Sequence, residues 1–331
     1  MKRIRMIATG GTIASEPTEH GLRPMLSGEE ILRCISMPGW DNVIETAQLF
    51  DLDSTNMRPE HWLEIARCIE ESYDRFDGFV VTHGTDTLAY TAAALTYLIQ
   101  RSRKPIVLTG AQKSIRTEDT DARRNLSDAL WYAADEKSHG VSVVFDGQVI
   151  AGPRAKKMRT KSRNAFISVD YPEMAILRDG KILRYFYEPE TCERPAFFRK
   201  INERVFVFKL IPGIDARMLD DLLPRVDALI IESFGVGGVP NYAGEDFLQA
   251  IGRWRAAGKT IVITTQVPFE GSDLGIYQVG AEVKERFDVI EAFNMTLEAT
   301  VTKLMWILAQ TRDPGRVRDL FYTPVAHDLL V

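Results

Sequence analysis

Two stretches decide how this chain folds: I-A-T-G-G-T-I-A, from Ile7 to Ala14, and V-V-T-H-G-T-D-T-L-A-Y-T-A, from Val80 to Ala92. Each follows a short apolar run, Ile4–Ala8 and Gly78–Thr82, that reads as a buried strand. Each then passes through glycine into a helical segment. In an open α/β sheet, ligands bind beyond the carboxyl ends of the strands, near the point where strand order reverses. One such turn alone is explained by capping, since Thr and Asp cap helices and Gly relieves backbone strain. Two in one chain, together with a lysine further on, point to a nucleophile site.

Outward from these turns the pattern alternates strand and helix, which predicts an α/β fold with mainly parallel sheets. The remaining strand candidates are Pro105–Thr109, Val141–Phe145, Val205–Leu210, Ala228–Glu232 and Thr260–Thr264. Helices are expected over Gly28–Ser36, Pro59–Tyr73, Thr87–Gln100, Asn125–Asp135, Gly244–Ala256 and Thr296–Gln310. Pro59 suits a first helical turn, where a missing N–H costs nothing. The rhythm breaks between Tyr185 and Glu203, which hold Pro189 and Pro195 but no clear period. Two α/β domains are therefore expected: a larger one over 1–184, a connection over 185–203 and a smaller one over 204–331. The Ser15–Met25 segment, just beyond the first turn, reads as a loop, either a lid over the site or a plain surface connection.

The chain has 331 residues, 45% hydrophobic and 26% charged, the balance of a soluble globular protein. A net charge of −5 gives no electrostatic case for nucleic acid or an anionic membrane. Three cysteines, Cys34, Cys68 and Cys192, are too few and too scattered for a disulfide framework or a zinc site, and the five histidines show no metal-binding spacing. No metal or cofactor is expected. No apolar run approaches the length of a membrane span, and the N-terminus lacks a signal-peptide pattern, so a cytoplasmic location is expected.

Neither glycine turn is a nucleotide fingerprint, for the G-x-G-x-x-G and G-K-[ST] spacings are absent. What remains is hydroxyls, a carboxylate and amines. A threonine hydroxyl is a weak nucleophile unless a base stands beside it. No histidine has a clear claim to that task; His83 reads as a structural hydrogen-bonding residue. A buried lysine can serve as base, with Asp86 to hold it, and the Gly-Thr turns offer backbone N–H groups to a developing oxyanion. This set suits acyl transfer through an acyl-threonine.

On these residues the chain resembles the bacterial-type L-asparaginases, the asparaginase/glutaminase family, over nearly its whole length. Ile7–Ala14 looks like the family's first motif, with Thr12 at its nucleophilic threonine. Val81-Thr-His-Gly-Thr-Asp-Thr looks like the second, with Thr85 and Asp86 at the second catalytic threonine and the aspartate. Asp53-Ser-Thr-Asn-Met is similar to the substrate-carboxylate loop, which brings in Asp53, Ser54 and Thr55. Thr109-Gly-Ala-Gln resembles the loop that closes over the substrate side chain, and so adds Ala111 and Gln112. Asp121–Leu126 is like the helix start after it. Gly152–Tyr171 aligns the catalytic lysine with Lys157, with Lys156 as the competing assignment. Glu232–Pro240 resembles a G-x-G-N turn.

The resemblance implies that Thr12 attacks the side-chain amide of L-asparagine while Thr85, Asp86 and Lys157 handle protons, both threonines remaining catalytic candidates. Gly11 and Gly84 would offer backbone N–H groups. Asp86 would hold the substrate's α-ammonium and Ser54 its α-carboxylate. It also implies a homodimer or homotetramer. Leu22 stands where many relatives carry a lid tyrosine, with Tyr277 a candidate to replace it, and Gly238 where they carry an asparagine. Two other readings are an amino-acid-binding or regulatory protein with little turnover, and the asparaginase-like subunit of a tRNA-dependent amidotransferase. The second is disfavoured by the acidic charge and by a Thr12 so near the start.

Overall fold

In the computed structural model the chain divides into two compact units, Met1–Arg199 and Lys200–Val331. The structure describes residues 1–187, 194–242 and 245–330. Pro189 and Cys192 of the expected connection, and Gly244 at the head of an expected helix, lie outside the described residues.

The first unit is built on an eight-stranded sheet. Its strands are β1 (Arg3–Gly10), β2 (Val43–Leu52), β3 (Gly78–Thr82), β4 (Pro105–Thr109), β5 (Gly140–Phe145), β6 (Gln148–Ala151), β7 (Ala175–Arg178) and β8 (Lys181–Arg184). They lie in the order β8-β7-β6-β5-β4-β3-β1-β2. From β2 to β5 every pairing is parallel. Every residue of β3 and β4 is buried, as unbroken apolar runs demand when both faces are covered. From β5 to β8 the pairings turn antiparallel, which makes the sheet mixed. Two of the reversals are tight turns at Asp146-Gly147 and Asp179-Gly180, with φ of 50°, 76°, 51° and 70° in that order. Asp and Gly accept that left-handed backbone, and Asp-Gly favours a two-residue hairpin.

β2 has no counterpart among the expected strands. Its residues V-I-E-T-A-Q-L-F-D-L are half-buried or exposed throughout, as suits an edge strand. The helices α1 (Gly28–Arg33), α2 (Pro59–Ser72), α3 (Leu88–Leu98) and α4 (Ala122–Ala134) match four expected ones, with ends shifted by a few residues. Ser27 and Glu30 close a capping box at α1. Beyond α3, Ile99–Gln100 leaves the helix to pair antiparallel with Ala196–Phe197, so that stretch is held on the first unit. The Ser15–Met25 loop is itself a hairpin, Ser15–Thr18 against Gly21–Pro24.

The second unit carries β9 (Val205–Lys209), β10 (Ala228–Ser233), β11 (Thr260–Thr265) and β12 (Ile290–Glu291), in that order and all parallel. Its helices are α5 (Met218–Leu222), α6 (Phe247–Ala256), α7 (Gln278–Phe287), α8 (Leu297–Leu308) and α9 (Pro314–Tyr322). Leu229, Ile231, Phe247, Trp254, Ile261 and Ile263 are fully buried at its core. One ion pair is sunk in this unit. Lys303 Nζ on α8 lies 2.7 Å from Asp328 Oδ2, both side chains at 0% exposure. Nζ also donates to Thr323 O at 2.9 Å, and Val325 N–H donates to Asp328 Oδ1 at 2.8 Å. The pair thus fastens the C-terminal segment to α8.

Removing one partner of a buried pair strands the other charge. Lys303→Met is expected to lower the unfolding free energy by about 3–5 kcal/mol. Lys303→Met with Asp328→Leu should recover most of that loss in urea unfolding; equal losses in both variants would show that the stranded charge is not its cause.

Candidate active site

β1 and β3 are parallel neighbours, with Ala8 opposite Thr82, so the turns that leave them emerge side by side. They meet at backbone level. Gly11 has φ 78° and ψ 179°, a region essentially closed to other residues. A Cβ built on it would stand 2.3 Å from Gly84 N and 2.4 Å from Gly84 Cα. A Cβ on Gly84 would in turn meet Ser54 Oγ at 2.6 Å. The three loops after β1, β2 and β3 therefore converge because two of them lack side chains at the contact. Gly11 N–H also donates to Leu52 O at 2.8 Å, which ties the first turn to the edge strand.

Thr12 opens a short 3-10 turn (Thr12–Ala14) directly after this contact and is half-buried. Ser15 Oγ steadies the turn by donating to Gly11 O at 2.9 Å. Ser54 is buried, and its carbonyl accepts from Thr87 Oγ1 at 2.8 Å. Asp53 and Thr55 are exposed. The Asp53 carboxylate is engaged within its own turn, accepting from Thr55 N–H at 2.9 Å and Thr55 Oγ1 at 3.0 Å.

Thr85 is 5% exposed and receives two distant partners. Lys157 Nζ lies 2.7 Å from Thr85 Oγ1 and 2.6 Å from Asp86 Oδ1. Lys157 ends a short strand, Ala155–Lys157, paired antiparallel with Phe166–Ser168. Alternation along that strand turns Lys156 to the opposite face, so of the two lysines it is Lys157 that reaches Thr85 and Asp86. The Lys157 side chain is 15% exposed, whereas that of Asp86 is 56% exposed.

The loop after β4 closes another side. Thr85 Oγ1 lies 3.4 Å from Gln112 Oε1, and Gln112 Nε2 donates to Ser162 O at 3.1 Å. Buried Asp121 accepts from Gln112 N–H at 2.9 Å and Lys113 N–H at 3.0 Å. Ala111 is fully buried beneath. Ile115 N–H donates to Ile13 O at 3.2 Å, joining this loop to the Thr12 turn. Leu22, in the hairpin after Thr12, is 59% exposed, and Glu16 of the same hairpin is ion-paired to Arg116. Within the second unit, Phe234 and Gly238 bridge across the turn after β10, and Tyr277 is 63% exposed.

The family profile "Asparaginase, N-terminal" matches residues 3–191, and "Glutaminase/Asparaginase C-terminal domain" matches residues 204–321. The chain belongs to the asparaginase/glutaminase family. It is 37% identical to the L-asparaginase of Thermococcus kodakarensis, over 99% of each chain. It is 32% identical to a glutamyl-tRNA(Gln) amidotransferase component of Pyrococcus abyssi, over 99% of this chain and 77% of that one. The solved structure of the thermostable L-asparaginase from Thermococcus kodakarensis superposes with a TM-score of 0.94 at 36% identity, covering 99% of both chains. The protein is thus an asparaginase-family amidohydrolase, and among its described residues no helix is long and apolar enough to cross a membrane.

His83, inside the second motif, is fully buried. Burial depresses its pKa from 6.5 to about 4, against the opposing effect of a hydrogen bond to Gly84 O. Trp62 and Thr91 complete its surroundings, and sequence reasoning misses both; no local spacing joins them to His83.

Two outcomes are expected. Gly11→Ala should cost about 2–5 kcal/mol, from a forbidden backbone region and an overpacked contact; an unchanged melting temperature would mean the turns yield freely. His83 has a folded pKa below its unfolded value, so between about pH 4 and 6.5 the unfolded chain binds the extra proton. Stability from this group is therefore present above pH 6.5 and lost on acidification toward pH 4. His83→Asn should show a shallower fall in unfolding free energy over that window than the parent protein; parallel curves would refute the assignment.

Proposed function

We propose that this protein hydrolyses L-asparagine to L-aspartate and ammonia. The observation that carries the reading is the single lysine amine within hydrogen-bond reach of both Thr85 Oγ1 and Asp86 Oδ1. A hydroxyl, an amine and a carboxylate in series can move a proton without histidine.

Thr12 Oγ attacks the side-chain amide carbon. The developing oxyanion lies among backbone N–H groups of the glycine turns, that of Gly84 included, whereas the Gly11 N–H expected to share this task is already given to Leu52 O. The C–N bond breaks, the nitrogen takes a proton and leaves as ammonia, and an acyl-threonine remains. Water then adds to the acyl carbon, and loss of the Thr12 oxygen releases aspartate. Lys157, between the Asp86 carboxylate and the Thr85 hydroxyl, relays the proton in each half. Thr85 remains the alternative first nucleophile, since its hydroxyl is the one the lysine contacts. Asp86 has its second oxygen for the substrate α-ammonium, and Ser54 and Thr55 meet the α-carboxylate. Ala111 and Gln112 enclose the side-chain amide. The family resemblance carries with it a homodimer or homotetramer and a cytoplasmic location.

The similarity to an amidotransferase component favours a second reading, in which ammonia release serves a tRNA-bound acceptor. The acidic net charge of −5 speaks for the first, because a tRNA-binding surface needs excess positive charge.

Purified protein assayed for ammonia should give saturable release with L-asparagine and less with L-glutamine, without tRNA. Release only with a partner protein and tRNA would transfer the assignment to the second reading; tight aspartate binding without release would make the protein a binder. Thr85→Val should remove at least about 99% of kcat, as expected for loss of a proton-transfer group. Lys157→Met should do the same, whereas Lys156→Met should retain most activity; the reverse order would overturn the assignment of Lys157.

A further inference from the structure

His83 lies directly beneath the site yet touches none of the groups assigned to the chemistry except through the backbone. Its Nδ1 is 2.7 Å from Gly84 O. A carbonyl oxygen only accepts, so Nδ1 carries the proton and donates. Nε2 then holds a lone pair, and it lies 2.9 Å from Thr91 Oγ1 on α3. The Thr91 hydroxyl must therefore donate to Nε2. That leaves the Thr91 oxygen to accept from Trp62 Nε1–H on α2, at 3.0 Å. The three side chains are 6%, 0% and 0% exposed, for Trp62, Thr91 and His83. Each donor and acceptor along this series has one consistent assignment, which runs from α2 through α3 to the peptide that precedes Thr85.

That peptide matters because Gly84 O and Thr85 N–H belong to the same planar unit. No cis peptide bond occurs among the described residues, so the two groups point in opposite directions. A hydrogen bond that anchors Gly84 O also aims Thr85 N–H away from His83 and sets the start of the Thr85 side chain. His83 N–H, donated to Thr109 O at 2.8 Å, holds the other end of the residue on the neighbouring strand.

We propose that Trp62, Thr91 and His83 form a positioning chain. It locks the His83 imidazole in its Nδ1–H tautomer, fixes the Gly84–Thr85 peptide, and thereby holds the Thr85 hydroxyl against Lys157. The inference rests on the reading of Thr85 as part of the proton-handling set. His83 is not a base here. With its pKa near 4 it stays neutral through the working range, and both ring nitrogens are already engaged. The position of this chain explains why polar groups are retained where apolar ones would fill the volume: a fully satisfied buried network imposes one geometry.

The experiment has two arms. In the parent protein, histidine-selective 15N labelling and long-range proton–nitrogen correlation should show one ring in a pure, neutral Nδ1–H tautomer from about pH 5 to 8, above its depressed pKa; an Nε2–H tautomer there would overturn the proposal. In the second arm, Thr91→Val deletes the hydroxyl at near-constant volume. It should shift that ring toward mixed tautomers and lower kcat between about 10- and 100-fold, the range for a displaced catalytic group, with little change in KM. His83→Asn, whose amide nitrogen overlays Nδ1, should retain more kcat than His83→Gln, whose amide nitrogen overlays Nε2. Equal losses in the two histidine variants, or wild-type kcat in Thr91→Val, would refute the chain. Thr85→Val in parallel separates the causes: if it stays active, the mechanism and the chain both fall, whereas an inactive Thr85→Val beside a fully active Thr91→Val removes the chain alone.

Discussion

Everything at the site depends on a contact between two glycines. Parallel neighbours in a sheet are about 4.8 Å apart, and the loops that leave them normally diverge because their side chains need room. At Gly11 and Gly84 there are no side chains, and the backbones come together where a Cβ would stand 2.3 Å from a backbone nitrogen. This close approach brings the turn carrying Thr12 against the turn carrying Thr85 and Asp86. It also admits Ser54, whose hydroxyl occupies the space a Cβ on Gly84 would need. The chemistry is thus arranged by what is absent at two positions.

Lysine reaches this cluster from far along the chain. Lys157 and Thr85 are 72 residues apart, and the hairpin bearing Lys157 follows directly on β6, where the sheet has turned antiparallel. A lysine at the end of a short strand has a fixed side to point to. That is why a shift of one residue would remove the amine from the site rather than displace it slightly.

The parallel core was legible in the sequence because strands covered on both faces must be apolar throughout, as in Gly78–Thr82 and Pro105–Thr109. The glycine-threonine turns were legible because two of them occur in one chain, each directly after a buried apolar run. The edge strand Val43–Leu52 was not, because half-exposed positions carry no clean alternation. The antiparallel edge did leave a signal, the Asp-Gly dipeptides at 146–147 and 179–180, but the strands beside them are only four to six residues long. Within the site, the two threonine turns and the family resemblance led to Thr12, Thr85, Asp86 and Lys157, with Lys156 as the competitor. Of the two lysines, it is Lys157 that reaches Thr85 and Asp86. Trp62 and Thr91 left no trace, since their role comes from two helices packing beside His83, and packing is written in no local pattern. The carboxylate of Asp53 shows the converse: its motif placed it near substrate, while its own turn already engages it.

The site separates a buried scaffold from an exposed rim. Below, His83 is buried and neutral; Thr91 donates to its Nε2 and Trp62 donates to Thr91, without any charge. Above, Asp86 is more than half exposed and Lys157 partly so, where water can reach them. A charged scaffold would have been costly to bury and would have altered the charges used for chemistry. A neutral one holds the backbone of Thr85 in place across the working pH range. Acid therefore acts on the fold through a buried histidine that resists protonation.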